Sequence, residues 1–350
     1  MNMAEMDKLA AAGLRGEVRL REPMARHTSW RAGGSAERAL LPADLDDLAL
    51  TLRVLAPHEP VLVVGLGSNL LVRDGGLRGT VILTHWALRE LRRGSATADG
   101  TDLYAQAGVP SPRVARFAAM NDLKGAEFLA GIPGTVGGAL AMNAGCYGGE
   151  TWDIVASVET IDRSGTIRSR TRDDYEIAYR HVRLKDERGR MNLEVHENLH
   201  PSSFILASST PLRGPHPSEE WFVSATFRLP GGSGAESRVR ITELLRRRIA
   251  TQPLERPNAG SVFRNPPGDY AARLIEACGL KGKAIGGARI SVKHANFIVN
   301  EGGARAADIE ALIVLAEQSV REQFGVVLER EVLIVGERDE GAGMKAEGQP

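Results

Sequence analysis

Seven glycines fall within residues 131–149, a segment that contains no charged residue. Glycine lets the backbone approach a ligand closely and adopt positive φ angles. Successive backbone N–H groups in such a segment can form a concave site for an anion. A tight turn needs only one or two glycines. The density of glycine therefore favours a cradle for phosphate or pyrophosphate over a simple turn.

A second glycine-containing segment follows an apolar strand at residues 61–64. It reads Gly-Leu-Gly-Ser-Asn over residues 65–69. A nicotinamide-binding Rossmann fingerprint would need a third small residue where Leu70 stands, and then a helix. Residues 70–72 instead predict another strand. A strand, a glycine turn and a second strand, followed later by a glycine-rich loop, are typical of a cradle that wraps a dinucleotide pyrophosphate between loops.

The bulk properties exclude several classes of protein. A chain of 350 residues suggests two or three domains. The 44 basic and 44 acidic residues cancel, which disfavours nucleic-acid or anionic-membrane partners. No apolar run approaches the roughly 20 residues that span a bilayer. The first 21 residues lack the apolar core of a signal peptide. We expect a cytoplasmic protein, and a monomer.

Local patterns predict the organisation of the chain. Asp44 is expected to cap a helix, and Ser111 to cap another that has Pro112 at its first position. Residues 326–335 read as a strand, and residues 155–167 as a hairpin. Residues 185–220 are polar and rich in proline, which indicates a long loop or lid. The predicted segments are an N-terminal extension at 1–21, two lobes at 22–95 and 96–230 with an insert at 185–220, a third domain at 231–337 and a disordered tail at 338–350.

Several residues could carry chemistry. On the predicted strand 326–335, Glu331 shares a face with Leu333 and Val335, which suggests either a tuned carboxylate or an edge charge that points to water. Ser261 lies between small residues and an apolar pair, without the elbow motif of a hydrolase. Arg180 could bind an anionic substrate through two hydrogen bonds, or be a surface charge.

Other polar residues have plainer interpretations. His294 is predicted at the start of a strand, where a polar residue is common. The histidines at positions 196, 200 and 216 match no metal-ligand spacing. Cys278 is expected in a helix core, and Cys146 to fill space in the glycine-rich loop.

Six motifs occur in order between about residues 22 and 337, and together they resemble the UDP-N-acetylenolpyruvoylglucosamine reductase family. They are Thr28-Ser-Trp-Arg-Ala-Gly-Gly34, Gly65-Leu-Gly-Ser-Asn-Leu70, Gly131-Ile-Pro-Gly134 with Asn143-Ala-Gly145, Ala178-Tyr-Arg180, Asn258-Ala-Gly-Ser-Val-Phe263 and Arg330-Glu-Val332. The resemblance implies an α+β protein, with a two-lobed FAD-binding domain of the vanillyl-alcohol-oxidase (PCMH) type and a C-terminal α+β substrate-binding domain. It also implies that NADPH reduces FAD, which then reduces the enolpyruvyl group of a UDP-sugar.

The resemblance also assigns roles to residues. Ser261 would be the proton donor, while Arg180 and Glu331 would polarise the substrate carboxylate and stabilise the enolate. Tyr179, Asn265 and His294 would contact substrate. The residues expected to bind FAD are Gly65, Gly67, Ser68, Asn69, Gly131, Pro133, Gly134, Gly137, Gly138 and Asn143. No tyrosine lies between Tyr179 and Tyr270, so the chain resembles the shorter subclass that lacks a tyrosine-bearing loop.

Two other functions remain open at this stage. One is an FAD-dependent oxidase or dehydrogenase of the same superfold, which often tethers its flavin through histidine. Neither glycine segment contains a histidine, so we expect non-covalent FAD. The other is a plain nucleotide-binding module, for which the third domain would be superfluous.

Overall fold

The computed structural model describes residues 12–185 and 220–339. The chain forms two compact units, each assembled from separate stretches of sequence. Of the described residues, unit 1 contains those up to Arg19 together with those within Ala39–Leu66 and Gly79–Gln252. Unit 2 contains Leu20–Arg38, Gly67–Arg78 and the described residues from Pro253 onward.

Helices and strands both occur throughout the described residues. The α-helices are Leu45–Val54, Ser111–Met120, Val136–Ala141, Gly234–Thr251, Ala271–Ala277 and Ala306–Phe324. The strands are β1 Glu17–Pro23, β2 Ser35–Leu41, β3 Val61–Val64, β4 Leu70–Val72, β5 Leu77–Leu83, β6 Leu91–Thr97, β7 Gly100–Gln106, β8 Gly145–Cys146, β9 Gly149–Glu150, β10 Val155–Asp162, β11 Ile167–Arg170, β12 Tyr175–Ala178, β13 His181–Leu184, β14 Glu220–Leu229, β15 Ala284–Ile285, β16 Ala288–Ile290, β17 Ile298–Asn300 and β18 Leu333–Val335.

The central sheet of unit 1 has five strands in the order β11-β10-β14-β7-β6. All four pairings are antiparallel. Its core includes Trp152, whose ring packs edge-on against Phe222 and tilted against Tyr175. Alternating buried positions along β7 explain why the sheet has one face in this core.

A second sheet has the order β1-β2-β5-β3, with β3 and β5 parallel. The helix Leu45–Val54 belongs to the same unit as β3. The Asp44 side chain accepts a hydrogen bond of 3.0 Å from the Asp47 backbone N–H, which confirms the predicted cap.

Unit 2 combines two small sheets with a long helix. β15, β16 and β17 are antiparallel, and β4 pairs in parallel with β18. The helix Ala306–Phe324 ends at Gly325, which has a φ of +69°, as its sequence predicts. The Asp74 carboxylate accepts hydrogen bonds from the backbone N–H groups of Ala306 and Ala307 at the start of this helix. The buried apolar face of the helix Ala306–Phe324 supplies much of the unit 2 core.

Two local predictions are wrong. Pro110, not Ser111, is the N-cap of the helix Ser111–Met120. The predicted strand 326–335 is a strand only at Leu333–Val335, because β4 pairs only with that end. Leu333 and Val335 are both buried on this strand, but Glu331 precedes it, so the strand face that Glu331 was predicted to share does not extend to Glu331.

Some predictions fall outside the described residues. These include residues 186–219 of the predicted insert, the histidines at 196, 200 and 216, residues 1–11 and residues 340–350. The predicted domain boundaries stay a prediction. The two units differ from them in grouping Leu20–Arg38 and Gly67–Arg78 with the C-terminal part of the chain.

Candidate functional site

The two glycine-containing segments meet within unit 1. A Cβ atom at Gly65 would lie 2.3 Å from the hydroxyl oxygen of Thr135, a buried residue of the glycine-rich segment. A Cβ at Gly131 would lie 2.5 Å from the Cys146 sulfur, and one at Gly137 would lie 2.9 Å from the Ala107 Cβ. Close packing of the protein on itself therefore accounts for these three glycines.

Other members of the glycine-rich segment leave space for a ligand. Gly138 and Pro133 are exposed, and the nearest atom to a Cβ at Gly138 would be 3.9 Å away. Gly134 is buried, and its carbonyl accepts a hydrogen bond from the Ser111 backbone N–H. The segment thus has a packed side and an open side, which fits a backbone surface against which a dinucleotide can lie.

Asn143 connects the glycine-rich segment to the turn that carries Arg180. Its φ is +39°, and its side chain is buried. Its amide N–H donates to the Glu150 carboxylate at 2.7 Å and to the Ala178 carbonyl at 3.3 Å. Its amide oxygen accepts from the Trp152 backbone N–H. These protein partners give Asn143 a structural role, and its assignment to FAD stays a prediction.

Tyr179 and Arg180 form the two-residue turn between β12 and β13. Arg180 has a φ of +54°, and its guanidinium carbon lies 5.5 Å from the centre of the Tyr179 ring. Burial raises the pKa of the nearby Cys146 thiol, while the positive charges of Arg248 and Arg180 act in the opposite direction. Arg180 therefore lies near the glycine-rich segment of the same unit. The raised thiol pKa agrees with a space-filling cysteine.

In unit 2, the glycine turn is held against residues 27–29. Gly67 has a φ of +58°, and a Cβ there would lie 2.0 Å from the His27 carbonyl oxygen. The Ser29 backbone N–H donates to the Gly67 carbonyl. His27 is itself buried and is paired with Glu22 at 2.8 Å. Only glycine fits this position.

The same turn is tied to the backbone of Glu331. The Asn69 side-chain amide donates to the Glu331 carbonyl at 2.9 Å. The Leu333 backbone N–H donates to the Asn69 carbonyl, also at 2.9 Å, which continues the pairing of β4 and β18. Ser68 lies half-buried between Gly67 and Asn69. Residues expected to bind FAD therefore share hydrogen bonds with a residue expected to act in catalysis.

Ser261 and Glu331 are brought together through a single residue. The Val262 carbonyl accepts a hydrogen bond of 2.8 Å from the Glu331 backbone N–H, and Val262 follows Ser261 in the chain. Ser261 and Glu331 are both half-buried. Phe263, which follows Val262, and Arg330, which precedes Glu331, form an isolated antiparallel bridge.

Asn265 and His294 also belong to unit 2. The Asn265 side-chain oxygen accepts from the Ala271 N–H at the start of the helix Ala271–Ala277, a capping role that the sequence analysis missed. The His294 Nδ1 accepts from the Asn296 backbone N–H at 3.3 Å. A backbone N–H can only donate, so the neutral ring carries its proton on Nε2.

We expect His294 to make the folded protein sensitive to acid. Burial, reinforced by the charge of Lys281, lowers the pKa of His294 below its ordinary value. The unfolded chain therefore binds this proton at a higher pH than the folded protein does, and the free energy of unfolding falls as the pH drops below about 6.5. His294→Gln should weaken that decrease. Urea unfolding at pH 7.5 and 5.5 measures this decrease, with His58→Gln, at an exposed histidine, as the control.

Asn296, a buried residue next to residues 262–263, was not selected by the sequence analysis. It was visible only as one amide in Lys293-His-Ala-Asn-Phe297, and its role depends on contacts with residues about thirty positions earlier. The apolar neighbours Ala295 and Phe297 were the available signal that its side chain is buried.

Comparison with known proteins identifies the family. An FAD binding domain model matches residues 36–170, and a model of the UDP-N-acetylenolpyruvoylglucosamine reductase C-terminal domain matches residues 252–335. A UDP-N-acetylenolpyruvoylglucosamine reductase of Nitrosospira multiformis is 57% identical over 96% of this chain and 94% of its own length. The chain belongs to the UDP-N-acetylenolpyruvoylglucosamine reductase family. A relative in that family from Thiobacillus denitrificans is 52% identical over 97% of this chain and 98% of its own.

A solved structure supports the same assignment at the level of the fold. The UDP-N-acetylenolpyruvylglucosamine reductase of Thermus caldophilus is 30% identical, with a TM-score of 0.67. The match covers 92% of this chain and 99% of that one. The predicted family and the predicted α+β fold, with an FAD-binding domain and a C-terminal domain of the reductase family, are confirmed. In the described part of the chain, no helix combines the length and the apolar character needed to span a membrane.

Proposed function

We propose that this reductase-family protein uses NADPH and FAD to reduce the enolpyruvyl group of UDP-N-acetylglucosamine enolpyruvate to UDP-N-acetylmuramate, a step in peptidoglycan precursor synthesis. The observation that carries the proposal is the 57% identity to a reductase of that name over nearly the whole chain. The hydrogen bond from the Glu331 backbone N–H to the carbonyl of Val262, which follows Ser261, supports it. Bound FAD supplies the transfer of reducing equivalents from NADPH to the substrate double bond.

Reduction of an enol ether places negative charge on the carbon next to the carboxylate. That charge must be delocalised and then removed by a proton. Among the described residues, the Ser261 hydroxyl makes no hydrogen bond to protein, which suits it to donate to a ligand. We assign the proton donation to Ser261, and the stabilisation of the charge to Arg180 and Glu331. Tyr179, Asn265 and His294 are proposed to contact the substrate.

The residues proposed to hold FAD form two groups of backbone and small side chains. Gly65 and the open side formed by Pro133 and Gly138 belong to unit 1, while Gly67, Ser68 and Asn69 belong to unit 2. Gly131, Gly134, Gly137 and Asn143 complete the first group, and their contacts with other protein atoms fix the backbone of the glycine-rich segment. The neutral character of both groups suits binding through backbone N–H groups.

Steady-state turnover tests the proposed reaction. Consumption of NADPH should be fast with UDP-N-acetylglucosamine enolpyruvate present, and slow with UDP-N-acetylglucosamine, which lacks the enolpyruvyl group. Equal NADPH consumption in the two assays, with hydrogen peroxide as the product, would support the oxidase alternative instead.

We expect FAD to be bound non-covalently, because neither glycine segment contains a histidine. Precipitation of the purified protein with trichloroacetic acid should leave the yellow colour in the supernatant. A yellow pellet with a colourless supernatant would contradict non-covalent binding. Free FAD added to albumin and treated in the same way controls for trapping in the precipitate.

The cellular location and the oligomeric state of the protein also belong to the proposal. We place the protein in the cytoplasm and expect a monomer. Fractionation and sedimentation of the purified protein test these two expectations separately.

A further inference from the structure

Asn296 occupies an unusual position beside the proposed proton donor. Its side chain is 3% exposed. Its amide oxygen accepts from the Phe263 backbone N–H at 3.0 Å, and its amide N–H donates to the Phe263 carbonyl at 2.8 Å. The Asn296 side chain thus pairs with both the N–H and the carbonyl of Phe263, a residue that lies outside the strands.

The backbone of Asn296 extends this contact toward Ser261. The Asn296 carbonyl accepts from the Val262 N–H at 2.9 Å. Three hydrogen bonds from one residue therefore hold Val262 and Phe263, the two residues that follow Ser261. All of these groups are buried, where a hydrogen bond is stronger and an unsatisfied partner costs more than in water.

The same segment also positions Glu331. Val262, held on its N–H side by Asn296, accepts the Glu331 N–H at its carbonyl. Phe263 bridges to Arg330, whose guanidinium is paired with both Glu317 carboxylate oxygens. A shift of residues 262–263 would therefore move both proposed catalytic side chains at once.

Asn296 has a further contact with His294, because its backbone N–H donates to the His294 Nδ1. That bond leaves the Nε2 proton available for a ligand. Asn296 thus contacts the two residues that follow Ser261, one of which hydrogen-bonds to Glu331, and it contacts His294 directly.

We propose that Asn296 is a positioning residue for the reduction, one that acts through Ser261 by fixing residues 262–263. It makes no contact with substrate in this proposal, and the inference rests on the assignment of Ser261 as proton donor in the proposed function. Misplacing a reacting group by about 1 Å can cost on the order of a hundredfold in rate. A side chain that fixes such a group should therefore affect the step in which the proton moves, and not the reduction of FAD by NADPH.

A double-mutant cycle tests the proposal. Reoxidation of reduced FAD by the enolpyruvyl substrate is followed by stopped-flow absorbance in wild type, Asn296→Ala, Ser261→Ala and the double variant. Asn296→Ala alone should slow reoxidation by roughly tenfold or more. In the Ser261→Ala background, the same change should slow it by less than about twofold, because there is no longer a donor to position. Slowing factors that multiply would overturn the proposal.

Asn300→Ala provides the matched control. Asn300 is a buried amide in the same segment with three hydrogen bonds of its own, to the Trp30 carbonyl and to the N–H groups of Gly302 and Ala304. The Asn300→Ala substitution should lower thermal stability about as much as Asn296→Ala does. The reoxidation rate of its FAD-loaded fraction should stay within about twofold of wild type. Equal slowing in both variants would assign the effect to general destabilisation and overturn the proposal.

If the Asn296→Ala variant does not fold, the isosteric variant Asn296→Asp is measured in its place. Asn296→Asp keeps the acceptor for the Phe263 N–H but, when ionised, loses the donor to the Phe263 carbonyl. Reoxidation should be slow at pH 8 and recover as the pH is lowered, since a protonated carboxyl can donate again. Amide hydrogen exchange in a peptide containing Phe263 should be faster at pH 8 than in wild type. A rate that does not recover, with unchanged exchange, would reject the proposal.

The outcomes separate this inference from the proposed function. Failure of the enolpyruvyl substrate to reoxidise the wild-type flavin rejects the function. Wild-type reoxidation by Ser261→Ala rejects both the donor assignment and the positioning role. Slow reoxidation in Ser261→Ala, together with reoxidation at the wild-type rate in Asn296→Ala, rejects only the positioning role.

Discussion

Ser261→Ala should slow the reoxidation of reduced FAD by the enolpyruvyl substrate by roughly a hundredfold or more, the usual size of general-acid catalysis. Reduction of FAD by NADPH should remain nearly normal, because no proton from Ser261 is needed in that half-reaction. The two half-reactions are measured separately by anaerobic stopped-flow absorbance.

A second substitution at this position separates chemistry from structure. Ser261→Cys keeps a proton donor of similar size, so it should slow reoxidation less than Ser261→Ala does. If Ser261 only shaped its turn, both variants would instead lose FAD or fail to fold. Two half-reactions at wild-type speed in Ser261→Ala would show that the proton donor is another group, with Glu331 as the next candidate.

Gly67→Ala should remove FAD from the protein and strongly destabilise unit 2. The added Cβ would lie 2.0 Å from the His27 carbonyl oxygen, at a φ of +58° that favours glycine. Backbone strain and overpacking each cost about 1–3 kcal/mol, and the turn that precedes Ser68 and Asn69 must shift to relieve them. The measurements are the ratio of flavin to protein absorbance after purification, and the midpoint of thermal unfolding.

Gly268→Ala is the control for this prediction. Gly268 also lies in unit 2 and has a φ of +75°, but a Cβ there would meet no atom within 4 Å. It should lose stability through backbone strain alone, about 1–3 kcal/mol, and keep its FAD. A yellow Gly67→Ala protein with the stability of the Gly268→Ala protein would contradict the close packing seen at His27.

The sequence predicted best those features that depend on neighbouring residues. The Asp44 cap and the end of the long helix at Gly325 follow from local hydrogen bonding and from the freedom of glycine at positive φ. The strand that follows the glycine turn, β4, was also found. The family resemblance depended on six short motifs in order, and the comparisons confirm it.

Contacts between distant segments could not be predicted in the same way. The Trp30 indole donates to the Ile298 carbonyl across 268 residues, and such contacts place Leu20–Arg38 in unit 2. The pairing of β4 with β18 likewise decides that only Leu333–Val335 is a strand. The apolar residues at 326–328 suggest that the strand begins earlier, but the sequence of this segment carries no information about where the partner strand ends.

The role of the glycines was predicted only in part. Glycine density correctly marked two segments that lie together, yet Gly65, Gly131 and Gly137 pack against protein atoms. A sequence shows where a Cβ is absent, but not which atom takes the space. Asn296 illustrates the same limit, because an amide that pairs with a backbone resembles any surface amide in the sequence.

A single-turnover experiment without oxygen tests the proposed reaction most directly. The protein is reduced with one equivalent of NADPH and then mixed with one equivalent of UDP-N-acetylglucosamine enolpyruvate. We predict that the absorbance of oxidised FAD returns in full and that the sugar nucleotide gains two hydrogen atoms by mass spectrometry. A flavin that stays reduced until oxygen is admitted, with the sugar nucleotide unchanged, would contradict the proposal.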